Sequence, residues 1–248
     1  MHDAVKCVTV CLLFLTCGSN MYAQDDDPDI PKAPIPRLAA TAANAAGFAP
    51  RGWKVQVQSS GDLNGDGRPD LAFVLHETNP KLVLHPDFGT DNLDTNPRVL
   101  GIAFAQIDGS YKLAAQNGRL IPRWTESNMD DYFGEEGSLT VARGAFTMGL
   151  HYFANMGGWD AGSTALTFRW QHGRFELIGY ENNNLKRNTG VDTKTSINFS
   201  TGVKIVNIDT IEDDRRGVPN LGTHRSRIAP KPLRTLDEIG SGFDFEAP

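Results

Sequence analysis

The sequence predicts a mainly β protein, an antiparallel meander of β-hairpins in one domain with a short N-terminal helix. Three observations predict it. The apolar runs are short and rich in Val, Ile, Phe and Leu, with little helical periodicity among them. Turns at Asp108-Gly109, at Gly144, at His172-Gly173-Arg174 and at Thr201-Gly202 each separate two such runs, the spacing of hairpins. A chain of 248 residues is long enough for one large β domain or two small ones with a real core.

Residues 1–23 read as a secretory signal peptide. Lys6 supplies a weak positive start, Cys7 to Thr16 is an apolar run too short to span a bilayer, and Ala23 offers a cleavage point before Gln24. The competing reading is a lipoprotein signal with a lipid anchor at Cys17. Phe14-Leu15-Thr16-Cys17 lacks the small residue expected before that cysteine. Cys7, Cys11 and Cys17 are the only cysteines, so the mature chain would hold no disulfide and would depend on its core, and on any metal, for stability. A periplasmic or secreted location is expected.

Residues 24–37 form an acidic, proline-rich linker: Asp25-Asp26-Asp27-Pro28-Asp29, then Pro31, Pro34 and Pro36. The β-rich domain is expected over 38–248. Its first segment, Leu38 to Ala46, is alanine-rich and predicts the short helix, after which Pro50-Arg51-Gly52 turns the chain into a first strand, Trp53 to Ser59. Leu71 to Leu75 is a short apolar run that reads as a buried strand. Four hairpins follow: Arg98–Gln106 with Tyr111–Ala115, Ser138–Arg143 with Ala145–Phe153, Ser163–Gln171 with Phe175–Glu181, and Thr195–Ser200 with Val203–Asp209. The tail from Pro230 to Pro248 predicts either a short helix around Leu233 to Ile239 or a strap across the surface.

Between the first two strands lies Gly61-Asp62-Leu63-Asn64-Gly65-Asp66-Gly67-Arg68-Pro69-Asp70. Oxygen-bearing side chains recur at alternate positions, which is the spacing of a calcium loop. A hard divalent cation takes six to eight oxygens at about 2.3–2.6 Å. Asp62, Asn64, Asp66 and Asp70 supply side-chain oxygens, the Arg68 carbonyl supplies another, and Gly67 permits the sharp turn. An EF-hand would need Glu at loop position twelve and a helix after it; Phe73 and a strand stand there instead. Asp/Asn/Gly-rich stretches also form plain turns. Calcium outside the cytoplasm suits a weak structural site, with Kd of about 10⁻⁴–10⁻³ M.

The loop and its flanking strands resemble the FG-GAP/VCBS type of calcium loop found in integrin-like β-propellers. Beyond the loop, Gly52-Trp53, Ala165 to Trp170, Phe175 to Tyr180 and Thr195 to Phe199 resemble secreted bacterial proteins with a single copy of that unit. The resemblance covers about Phe48 to Val206 and implies a shared fold and an envelope location, with no established chemistry. With one calcium loop and no repeat period, the chain is not expected to form a complete β-propeller.

Composition and motifs narrow the function classes. A net charge of −6 without a basic stripe speaks against nucleic acid as a partner. No Gly-x-Ser-x-Gly elbow, phosphate-cradling Gly-x-x-x-x-Gly-Lys or cysteine nucleophile occurs in the mature chain. The leading expectation is therefore a non-catalytic, exported, calcium-binding β protein that binds an envelope protein or glycan. An inhibitor or immunity-type protein against an envelope-directed toxin is the second reading, its acidic loops meeting a basic enzyme. A hydrolase of envelope carbohydrate or ester is the third, using His151, Asp160 and Ser163 or a pair of carboxylates. The acidic stretches at Asp87, Asp91 and Asp94 and at Asp130 to Glu136 read as solvated loops, a second cation site or a contact for a basic partner. The loop Asn155 to Gly162 reads either as a ligand-facing loop or as a glycine turn with Trp159 capping the core.

Overall fold

In the computed structural model, which describes residues 29–135, 137–211 and 222–248, the chain forms two main antiparallel sheets. The segment expected to be a signal peptide, with Cys17, the first part of the expected linker and Glu136 lie outside the described residues. In chain order the strands are β1 (Thr41–Ala42), β2 (Trp53–Gly61), β3 (Asp70–Glu77), β4 (Val83–Leu84), β5 (Leu93–Asp94), β6 (Arg98–Ala105) and β7 (Tyr111–Asn117). They continue as β8 (Ser138–Ala142), β9 (Ala145–Phe153), β10 (Asp160–Gln171), β11 (Arg174–Lys186), β12 (Val191–Asn198), β13 (Val203–Thr210) and β14 (Gly222–Arg227).

The first sheet has the order β1-β7-β6-β3-β2, and the second runs β8 to β14 as an uninterrupted meander. β4 and β5 make a small separate ribbon, and the described residues form no closed propeller. Turn chemistry explains the meander. Ala142 pairs with Ala145 and Gln171 with Arg174, leaving two-residue turns. Both residues of each turn have positive φ: Arg143 (55°) with Gly144 (70°), and His172 (53°) with Gly173 (76°). That backbone matches the strand twist, and glycine adopts it without a Cβ clash.

The two sheets share one core. Ala72 and Val74 of β3 and Leu100 and Ile102 of β6 face Phe146, Met148 and Leu150 of β9 and Leu166 and Phe168 of β10. The other face of β3 presents Leu71, Phe73 and Leu75 to a second cluster, which Leu38, Ala45 and Phe48 cover. β3 is thus buried on both faces, as its continuous apolar run predicts. Phe48 stacks on Phe73 with ring centroids 5.2 Å apart. Gly101, opposite Phe73 on β6, leaves room for that ring; a Cβ there would come within 2.4 Å of it.

Three features differ from expectation, and the tail takes one of its two expected forms. The N-terminal helix is a single 3-10 turn, Ala45–Phe48, and the alanine-rich segment before it runs extended, with β1 paired to β7. A helix of that length is marginal alone, and Leu113 N–H finds the Ala40 carbonyl at 2.9 Å when the segment is extended. β11 extends past its expected end through Asn182-Asn183-Asn184 to Lys186, and β10 and β12 begin earlier than expected, at Asp160 and Val191, opposite that extension. These polar residues have weak strand preference, but β10 and β12 pair β11 along its length and satisfy its backbone. β14 was not expected; its Gly-Thr-His-Arg-Ser-Arg sequence has no apolar run, and it pairs with β13. The tail is a strap with one 3-10 turn at Leu236–Glu238, and it buries Leu236, Ile239 and Phe245 in the main core.

The end of the proline-rich segment lies against the domain. The Pro36 carbonyl accepts from Gln116 Nε2 at 3.0 Å, and the Pro31 carbonyl accepts from an Arg123 guanidinium N–H at 3.0 Å.

Candidate metal centre

The loop 62–69 joins β2 to β3 where the two sheets meet. Val141 of β8 lies against Gly61, its backbone N–H donating to Ser59 Oγ at 3.0 Å. Gly65 and Gly67 both take φ of +82°, which curls the backbone tightly. The curl aims successive N–H groups inward. Asp62 Oδ1 accepts from Gly65 N at 2.7 Å and from Asp66 N at 3.2 Å, and its Oδ2 accepts from Gly67 N at 2.9 Å. Asn64 Oδ1 accepts from the same Asp66 N–H at 2.9 Å, while Asn64 Nδ2 donates to Asp66 Oδ2 at 3.0 Å. Asp62, Asn64 and Asp66 are therefore brought together on one turn of chain.

Asp70 is placed differently. It is fully buried at the start of β3. Its Oδ2 accepts from Leu63 N at 2.8 Å and Asn64 N at 3.2 Å, and its Oδ1 from Ala105 N at 2.8 Å. As folded, Asp70 anchors the loop to β6 from beneath. Burial pushes its carboxyl above the usual aspartate range, against the pull of those three backbone N–H groups. Asp66 moves the other way: the Arg68 backbone N–H, then the Asn64 amide and the Arg68 charge, hold it below that range.

Arg68 has a role that the ligand spacing does not reveal. Its guanidinium pairs with Asp66 Oδ2, and its Nε donates to the Ala105 carbonyl at 3.2 Å. It thus places a positive charge directly on the Asp66 carboxylate. Its proximity to an aspartate two residues earlier was the one available signal.

The donor set fits a hard cation in kind, being oxygen from Asp62, Asn64, Asp66 and the Arg68 backbone. In the described arrangement the side-chain oxygens are turned to N–H groups of the loop and to the Arg68 guanidinium. Among the described residues, no three His, Cys, Asp or Glu side chains converge as a ready-made metal site. To ligate, Asp66 would exchange the Arg68 guanidinium for the ion, and Asp62 would give up one of its N–H bonds.

The other candidates are dispersed. Asp131 forms a bidentate pair with the buried Arg98, at 2.8 and 2.5 Å, and Asp130 Oδ1 accepts from Asn155 Nδ2 at 2.6 Å. Asp94 Oδ1 accepts from the Asn96 backbone and side chain. Ser163 sits directly across from His151, but Asp160 stands on the opposite face of β10 and pairs with Lys186 at 2.5 Å. Trp159 is 63% exposed and does not cap the core. Its loop is held by Arg187, which donates to the Ala154 and Gly158 carbonyls at 2.6 and 2.5 Å and lies over the Phe153 ring. No helix among the described residues is long and apolar enough to cross a membrane. No protein-family model, no curated protein and no solved structure matches this chain.

Proposed function

We propose that this chain is an exported β protein that takes calcium as a structural ion in the loop 62–70 and acts by binding another macromolecule of the cell envelope. The observation that carries the reading is the convergence of Asp62 and Asn64 on a single N–H, that of Asp66, between two strands at the junction of the sheets. Bound calcium would neutralise the Asp62 and Asp66 charges and tie the loop's turns to one centre. Asp70 holds the base of the loop through backbone N–H groups, and Arg68 stands in for the ion's charge until Asp66 is released to it. The cysteine pattern and the apolar run at Cys7 to Thr16 support the exported location.

Ligand binding to the folded state alone raises its stability with the logarithm of one plus the ratio of free ligand to Kd. Millimolar calcium is therefore expected to raise the melting temperature, by several degrees at saturation, and Asp66→Ala is expected to abolish the rise. Melting curves that coincide in calcium and in chelator would end the calcium reading. Pull-down from envelope extracts with and without calcium tests the binding role.

A further inference from the structure

Asn-Gly occurs twice in this chain, at Asn64-Gly65 and at Asn117-Gly118. A glycine after asparagine leaves its backbone nitrogen unshielded by a Cβ, so that nitrogen can reach the asparagine carboxamide carbon. The two copies stand in opposite settings. Asn117 is buried, and its carboxamide is fixed at both ends. Its Oδ1 accepts from Arg119 N and Leu120 N, each at 2.8 Å, and its Nδ2 donates to the Leu236 carbonyl at 3.1 Å. Gly118 is packed under Ile35, whose Cγ2 would lie 2.6 Å from a Cβ.

Asn64 is only half-buried, and Gly65 is exposed with open space around it. Asn64 N–H is tied to Asp70 at 3.2 Å, and the reacting groups themselves are restrained from within the loop. Gly65 N–H is held by Asp62 Oδ1 at 2.7 Å, and the Asn64 carboxamide is held by Asp66 at 2.9 and 3.0 Å. Opening this one short loop releases the nucleophile and the electrophile together, whereas releasing Asn117 requires the tail to leave the core.

We propose that Asn64 is a site of spontaneous deamidation and that Asp62 guards it. In the reaction the Gly65 nitrogen loses its proton and attacks Asn64 Cγ. The Cγ–Nδ2 bond breaks, ammonia leaves, and a five-membered succinimide closes. Water then opens the ring at one carbonyl or the other, giving aspartate or an isoaspartyl linkage at position 64. One water enters, one ammonia departs, and nothing is oxidised or reduced. The aspartate product sets a third carboxylate between Asp62 and Asp66. The isoaspartyl product adds a methylene to the backbone and disrupts the curl set by Gly65 and Gly67. The loop's charge and shape would therefore change with age, with or without calcium.

The test incubates the full chain in a chelating, mildly alkaline buffer and follows each asparagine by peptide mass mapping. The gain of one dalton should build up at Asn64 while Asn117 stays intact. Asp62→Ala removes three hydrogen bonds to a charged acceptor, among them the one that holds Gly65 N–H, and should speed conversion at Asn64 roughly ten-fold. Asn117 reports folding in that variant, since it converts only if the sheets come apart; in that event the wild-type contrast alone decides. Conversion of Asn64 no faster than that of Asn117 in the wild type would overturn the proposal, as would an unchanged Asn64 rate in a folded Asp62→Ala protein.

Discussion

At the scale of single residues, the buried polar groups are the sensitive points. His76 on β3 is buried, and its Nε2 is 3.7 Å from Asp94 Oδ2 with no hydrogen-bond partner. Burial, then the charge of Arg98 across the strand pair, holds its pKa below the ordinary histidine value, against the pull of Asp94 and Asp131. Between the lowered value and the unfolded value of about 6.5, the unfolded chain binds the extra proton, so stability rises with pH in that window. His76 should therefore contribute full stability above about pH 6.5 and lose it as the pH falls further. Urea unfolding at about pH 7.5 and about pH 5.5 should show the decline, and His76→Gln should flatten it. An undiminished pH slope in that variant would assign the effect elsewhere. Spacing in the sequence pointed to the oxygens of Asp62, Asn64 and Asp66, which the fold gathers. It did not reveal that Asp70 also anchors backbone, because that use depends on Ala105, 35 residues away.

Strands and turns were the most legible scale. Alternation, continuous apolar runs and glycine-bearing turns placed β2, β3 and the hairpins β6–β7, β8–β9 and β10–β11 within a few residues. Legibility failed where a strand owes its existence to its neighbours. The asparagines of β11 have no intrinsic reason to extend, and β14 lacks an apolar run. It failed again at the alanine-rich N-terminus, where intrinsic helix preference yielded to pairing with β7. Packing between elements is tight enough to be tested at one atom. Gly101→Ala sets a methyl group against the Phe73 ring and should cost about 1–3 kcal/mol. A denaturant midpoint shifted by that amount, with unchanged slope, would be the expected result; an unshifted midpoint would mean that Phe73 repacks freely.

On the scale of the whole molecule, the core is finished by the tail. Leu236, Ile239 and Phe245 are buried among residues of both sheets, and Gly242 N–H donates to the Leu120 carbonyl at 2.9 Å. Burying each such apolar side chain is worth about 1.5–3 kcal/mol. The three together approach the whole stability of an ordinary domain, about 5–15 kcal/mol. Truncation after Thr235 should therefore abolish cooperative unfolding followed by near-ultraviolet circular dichroism, and Phe245→Ala alone should cost about 3–5 kcal/mol. A truncated chain that melts as sharply as the full one would show the strap to be dispensable. The sequence left the tail open between helix and strap, because its few apolar residues follow neither period and take their places only when both sheets are formed.

The tail also sets the timing of folding. Asn117 and Leu236, joined by a hydrogen bond, are 119 residues apart in the chain. Contacts of that span must wait for their later member, and the loop closure they require slows their formation. Until residue 245 has left the ribosome, the core lacks its last wall and the nascent chain has no finished domain to lock into. A polypeptide built this way stays open to rearrangement until its 245th residue is free to join the core.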